Sequence, residues 1–365
     1  MFYYLTQKLD GYLKWGIPFY DCIVMKDGHC VYRHANGFTD PEKSVRVTGT
    51  EKYNIYSCTK LITCVAALQL WEKGAFSLDD PLSDYLPEFK TMTVKKGENI
   101  VTAEKPILIH QLFTMTAGFS YDIKSASLQL CRQETNGECP TREAMRYLAK
   151  EPLLFEPGSA WHYSLCHDVL AALIEVLTGM SFGAYVKQNI FDPLEMTSSA
   201  FLLPDTRLDE IVQQYKYTPD LGVCERDKHI GYRLGTKYES GGAGCISTVD
   251  DYIKFLEALR IGNIILKKET VDLMSTNHLS KEQASTYWMD SYGYGLGQRC
   301  PKDEGTSDFG WGGAAGSYYA IDRKNGITFF FATHISGYQQ FLDSIPEITP
   351  LITAILQQHD KDCVS

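Results

Sequence analysis

The 365-residue chain has no apolar run of membrane-spanning length, no cluster of Lys and Arg, and no pair of cysteines at metal-site or disulfide-framework spacing. Each absence excludes something. Without about 20 consecutive apolar residues, a transmembrane helix is not expected. The opening residues, MFYYLTQKLDGYLKWG, have no basic stretch leading into an apolar core, so they do not read as a secretory signal. A formal charge of -10 leaves no electrostatic footprint for a nucleic acid and is most simply a matter of solubility. The odd number of cysteines, eleven, cannot all pair internally. Free buried thiols in a reducing cytoplasm fit that number and the missing signal. No cofactor or resident metal is implied.

What is present is a core. Hydrophobic residues make up 44% and aromatic residues 12% of the chain. A folded chain of this size buries about 75% of its unfolded surface, as one large domain or two closely joined ones. The most apolar segment is Asn54 to Gly74, NIYSCTKLITCVAALQLWEKG. From Leu61 to Trp71 a helix would have no solvated face, so it must be buried. At its start stand Ser57 and Lys60, three apart, which on one helical turn places their side chains about 5 to 6 Å apart on one face. A serine hydroxyl is a weak nucleophile unless a neighbouring base takes its proton. Burial disfavours the charged form of a lysine and so favours that role. A Ser-x-x-Lys arises by chance about once in a chain this long, and the alternative is a serine N-cap followed by a surface lysine.

In chain order, residues 1–14 read as an amphipathic helix, and Asp21–Met25 and Cys30–Ala35 as a hairpin around Lys26-Asp27-Gly28. Phe76–Pro87 reads as a loop with turns. The part that follows, to about Ile230, is mainly helical pattern. Its helices are expected at Ile109–Thr116, at Thr141–Lys150 with Thr141 as cap, at Asp168–Thr178 closed by Gly179, and at Phe182–Ile190. Thr248 caps a helix at Asp251–Arg260. Tyr318–Ile321 and Ile327–Ala332 form a second hairpin, Pro350–Gln358 a closing helix, and the final HDKDCVS is expected to be unstructured. The fold class is α+β: an antiparallel sheet built from both chain ends and flanked by helices, with a mainly helical insertion. The corresponding domains are 1–80 with 241–365, and 81–240, with a site in the cleft between them.

Two further motifs support the serine and lysine. Trp161-His162-Tyr163-Ser164-Leu165 sits on a turn before a helix, where a tyrosine is both accessible and fixed; packing is the alternative. Gly310-Trp311-Gly312-Gly313-Ala314-Ala315-Gly316 runs into a strand, where backbone N–H groups can face an oxyanion; a simple bulge or turn is the alternative.

Ser57-Cys58-Thr59-Lys60, a Tyr-Ser turn about a hundred residues later and a glycine-rich strand near the end together resemble the class C β-lactamase and penicillin-binding-protein-like serine hydrolases. QLFTMTAG, FEPG, IFDPLEM and GGAGCISTVD also resemble phrases of that family. The resemblance implies Ser57 as acylated nucleophile, Lys60 as its proton acceptor and Tyr163 as a second acid/base group, with either Lys60 or Tyr163 as the dominant base. It implies an oxyanion hole from the N–H groups of Ser57 and Ala314. Substrate would be lined by His162, Leu165, Trp311, Gly312 and Gly313. Two departures bear on substrate: Leu165 stands where the β-lactamases carry Asn, and Trp311-Gly312-Gly313 stands where they carry Lys-[Thr/Ser]-Gly. Both replace polar groups with apolar ones, which favours uncharged acyl esters over β-lactams and resembles the esterase branch. A small-molecule ester or amide is the expected partner. The competing functions are β-lactamase, D-amino-acid peptidase, acyltransferase and a silent binding module.

Other signals are weaker. Gly179-Met180-Ser181-Phe182-Gly183 matches a nucleophile elbow, but a helix pattern precedes it where a strand is needed, so Ser181 reads as a cap. His162, Cys166 and His167 lack a second spaced pair for zinc. Gly293 to Gly297 lacks the strand and helix of a dinucleotide site and reads as a turn.

Overall fold

The computed structural model describes residues 1–226, 228, 230–303 and 305–364, with side chains as far as His359. Helix α1, Tyr3–Lys14, buries Leu5, Leu9 and Tyr12, spaced four and three apart, on its single apolar stripe. Strands β1, Phe19–Lys26, and β2, His29–Gly37, are joined by Asp27 and Gly28, both at positive φ, as a two-residue hairpin turn of this twist requires.

Helix α2, Thr59–Glu72, is buried from Thr59 through Leu70, as the largely apolar run from Leu61 predicts, and Trp71 at its end is half-buried. It packs against α3, Cys166–Thr178, which Gly179 closes in the left-handed conformation. Helix α4, Val249–Ile261, begins at Thr248, whose hydroxyl accepts the Asp251 N–H as the sequence predicts.

The last third supplies five strands. These are β3 (Tyr292–Tyr294), β4 (Arg299–Pro301), β5 (Phe309–Gly312), β6 (Tyr318–Asp322) and β7 (Ile327–Ala332). With β1 and β2 they form one seven-stranded antiparallel sheet in the order β2-β1-β7-β6-β5-β4-β3. The two chain ends meet at β1 and β7, where Asp21 lies opposite Ala332 and Lys26 opposite Ile327. All six residues of β7 are buried, and α4 packs across β7, β1 and β6. The closing helix α5, Ile348–Val364, touches α1.

The structure departs from the sequence reading in four places. Residues expected to be mainly helical contain two hairpins, at 93–102 and 214–226, and Ile335–Ser336 adds to the second as a parallel strand. Thr141 is not a cap: it lies inside the helix Thr141–Leu148, and its hydroxyl donates to the Glu239 carbonyl at 3.1 Å. The expected turn at Gly293 starts as strand β3, paired with β4. Helix α5 continues through residues expected to be unstructured, and Ser365 lies outside the described residues.

Candidate active site

Ser57 sits on a short 3-10 turn, Tyr56–Cys58, that feeds directly into α2. The turn is strained: Tyr56 has a φ of 47°, a left-handed conformation costing a bulky residue about 1 to 3 kcal/mol. Neighbouring elements hold it. The Tyr56 hydroxyl donates to Gln214 at 2.8 Å, Tyr252 donates to the Cys58 carbonyl at 2.7 Å, and Ser317 donates to the Ile55 carbonyl at 2.8 Å. Strain clamped from several sides fixes where the Ser57 hydroxyl points.

Lys60 lies one turn along and is 0% exposed. Its Nζ donates to the Gly242 carbonyl at 2.7 Å and lies 3.3 Å from both Ser57 Oγ and Tyr121 Oη. Gly242 has to be glycine: a Cβ there would stand 2.6 Å from Asp168 Oδ2 and 3.4 Å from Lys60 Nζ. Asp168, buried on α3, accepts from Tyr238 and Ser240 through Oδ1, and its Oδ2 has no hydrogen-bond partner among the described residues. A buried carboxylate oxygen and the buried amine thus face the same glycine.

Tyr163 completes the cluster from the turn before α3, donating to Ser57 Oγ at 2.6 Å. The Lys60 amine also lies 4.5 Å from the Tyr163 ring centroid. The ring is held between Tyr121 at 5.2 Å and Trp311 at 5.8 Å, both stacked on it. Burial and the nearby Tyr163 and Asp168 push the Tyr121 hydroxyl well above its usual range, so it serves as a protonated partner.

The turn between β5 and β6 closes the site. Gly313 N–H donates to the Ser317 carbonyl at 2.7 Å and Gly316 N–H to Gly313 at 3.0 Å. The intervening Ala314 N–H makes no backbone hydrogen bond among the described residues. Ser57, Tyr163, Trp311, Gly312, Gly313 and Ala314 line one cavity of about 730 Å³. That single cavity gathers six of the nine site residues read from the sequence, and a seventh, Lys60, lies buried behind it against Ser57.

The other two lie elsewhere. Leu165 is 2% exposed, with its N–H on the Ser120 carbonyl, and is part of the core. His162 is exposed, with its N–H on Met115. Neither is among the residues that line the cavity. Residues the sequence reading missed do line it: Tyr232, Trp288, Leu342 and Arg299. Arg299 stands between Gln298 and Cys300, three residues before Lys302, with no local pattern to mark it. Ser181, of the elbow-like motif, follows a helix and caps the next one by accepting from Ala184 N–H.

Two histidines behind the site have a consequence for stability. Burial holds both His167 and His334 neutral, lowering each to about 3. Unfolded, each would bind a proton near pH 6.5. The unfolded chain therefore binds more protons below that pH, and stability is expected to fall steadily as pH drops from about 6.5 toward 3. Denaturant midpoints at pH 7.5 and pH 5 are expected to differ by a loss at pH 5, and a His334→Asn variant is expected to lose less.

No single described helix is long and apolar enough to cross a membrane. A family model, Beta-lactamase, matches residues 16–348. Among curated proteins, Esterase EstB of Burkholderia gladioli is 28% identical over 341 residues, covering 86% of this chain and 84% of that one. Lovastatin esterase of Penicillium rubens is 29% identical over 343 residues, covering 84% and 86%. Among solved structures, EstCE1, described as a hydrolase with promiscuous acyltransferase activity, superposes with a TM-score of 0.76 at 24% identity, over 91% of this chain and 94% of that one. A mutant of simvastatin synthase from Aspergillus terreus gives a TM-score of 0.79 at 22% identity, over 97% and 98%. With the family model spanning nearly the whole chain, and a serine, lysine and tyrosine in mutual contact at one cavity, this protein belongs to the beta-lactamase family.

Proposed function

We propose that the protein is a serine hydrolase that cleaves carboxylic esters through an acyl-enzyme on Ser57. The observation that carries this is the contact set around one oxygen: Ser57 Oγ lies 2.6 Å from Tyr163 Oη and 3.3 Å from Lys60 Nζ. A hydroxyl so placed loses its proton to a neighbour as it attacks a carbonyl carbon. The tetrahedral oxyanion then receives the N–H groups of Ser57 and Ala314, the second of which has no backbone acceptor to give up. On collapse, Tyr163 or Lys60 returns the proton to the leaving alcohol, and water repeats the sequence to release the acid.

The ester reading, rather than the lactam one, is supported by what lines the cavity beside Ser57. Trp311 is stacked on Tyr163 and Trp288 lies 6.1 Å from Trp311. These aromatic faces favour apolar acyl or alcohol groups. The two curated relatives named above are called esterases. Acyl transfer to another alcohol shares every step except the last. A panel of activated esters beside nitrocefin and a D-alanyl amide tests the reading: esters are expected to be turned over with a burst, and the amides poorly. Amide turnover matching that of the esters would contradict it.

The same reading divides the chain into two lobes, 1–80 with 241–365 and 81–240. In support, every strand of the large sheet comes from the first lobe, whereas Tyr121 and Tyr163 reach Ser57 and Lys60 from the second. It also puts the protein in the cytoplasm, in keeping with ten unbridged cysteines among the described residues.

A further inference from the structure

On the same cavity wall as Trp311, one strand away from the reacting serine's glycine turn, stands an arginine that no step above uses. Arg299 on β4 lies opposite Gly310 of β5 and is 2% exposed. Its Nη2 donates to Asp308 Oδ2 at 2.6 Å and to the Tyr318 hydroxyl at 2.8 Å. The Tyr292 ring covers the guanidinium at 4.1 Å. Its Nη1 is buried with no hydrogen-bond partner among the described residues. A buried donor without an acceptor is costly and uncommon in native proteins. Arg299 nevertheless lines the 730 Å³ cavity with Tyr292 and Tyr318.

We infer that Arg299 is a specificity-determining residue whose guanidinium takes an uncharged acceptor oxygen, a ketone, ester or hydroxyl oxygen, on the part of the substrate remote from the scissile bond. The partner is uncharged because the charge is already spent: Asp308 pairs with the guanidinium, and two exposed carboxylates, Asp290 and Asp343, also line the cavity. A carboxylate entering there meets a neutralised cation and two like charges. A neutral acceptor meets a strong, fixed donor. The preferred substrate is therefore an ester with an apolar body to lie on Trp288 and Trp311 and an oxygen at its far end, rather than a plain alkyl ester.

This inference rests on the ester-binding reading of the cavity, so its test is arranged to separate the two. Three activated esters of equal acyl length are prepared, ending in a methyl group, a methyl ketone and a carboxylate. Binding of each intact ester to the Ser57→Ala protein is measured by calorimetry, and turnover by the parental protein in parallel. The ketone is expected to bind about 10-fold or more tightly than the methyl-ended ester, and the carboxylate less tightly than the ketone. The double variant Arg299→Met, Asp308→Leu removes the ion pair without leaving either charge alone, and is expected to bind the ketone and methyl-ended esters equally. Equal binding of these two by the Ser57→Ala protein would overturn the assignment, and so would tightest binding of the carboxylate. Should the ketone preference hold in binding while the parental protein turns over none of the three, Arg299 stands and the hydrolase reading falls.

Discussion

Replacing Lys60 by Met is expected to lower kcat for any ester substrate by roughly 10²- to 10⁴-fold in a protein that still folds. The two expectations come from the same geometry. Lys60 is 0% exposed, so methionine fills its channel with little change in volume. What is lost is the Nζ that touches Ser57 Oγ, Tyr121 Oη and the Gly242 carbonyl. Tyr163→Phe should fall in the same range, because the ring stays between Tyr121 and Trp311 and only the hydroxyl on Ser57 disappears. Tyr121→Phe should cost far less, since it removes one partner of Lys60 and none of Ser57. Steady-state kinetics beside thermal melts check all three. Near-parental kcat in either of the first two would remove that residue from the proton transfer.

Gly313→Ala is expected to be damaging in both fold and rate. A Cβ at Gly313 would overlap Ser317 Oγ and the Ile55 carbonyl oxygen, the two atoms that tie the β5–β6 turn to the strained turn carrying Ser57. Relieving that overlap must move Ala314 away from Ser57, or move Ser57 itself. Overpacking of this kind costs about 1 to 3 kcal/mol. Loss of one oxyanion donor costs about 10²- to 10³-fold in kcat. The kinetic loss is expected at temperatures where circular dichroism shows the variant fully folded. A folded Gly313→Ala protein with parental kcat would place the oxyanion elsewhere.

The Ser57–Lys60 pair was legible in the sequence where the governing spacing is local. Ser57 and Lys60 share one turn, and the apolar run after them dictates burial whatever the rest of the chain does. Hairpins with a two-residue loop or a continuous apolar strand, such as β1–β2 and β6–β7, were legible for the same reason. What escaped is set by tertiary pairing. Strands β3 and β4 have three residues each and no alternation, and they exist because β5 offers an edge. Arg299 reaches the cavity only through that register, eleven residues before Gly310 in sequence and directly opposite it in space. Leu165 and His162 flank Tyr163 in sequence, yet both side chains lie outside the cavity that Tyr163 lines. The substrate reading shifts accordingly. The cavity does contain a cation, at Arg299 instead of Trp311, and Asp308 neutralises it.

The account turns on which atom becomes acylated. After a brief exposure to an activated ester and acid quench, intact mass and peptide mapping are expected to find one acyl group, on the peptide carrying Ser57, and none in Ser57→Ala. An adduct on Ser181 or on a cysteine, or steady turnover by Ser57→Ala, would contradict it.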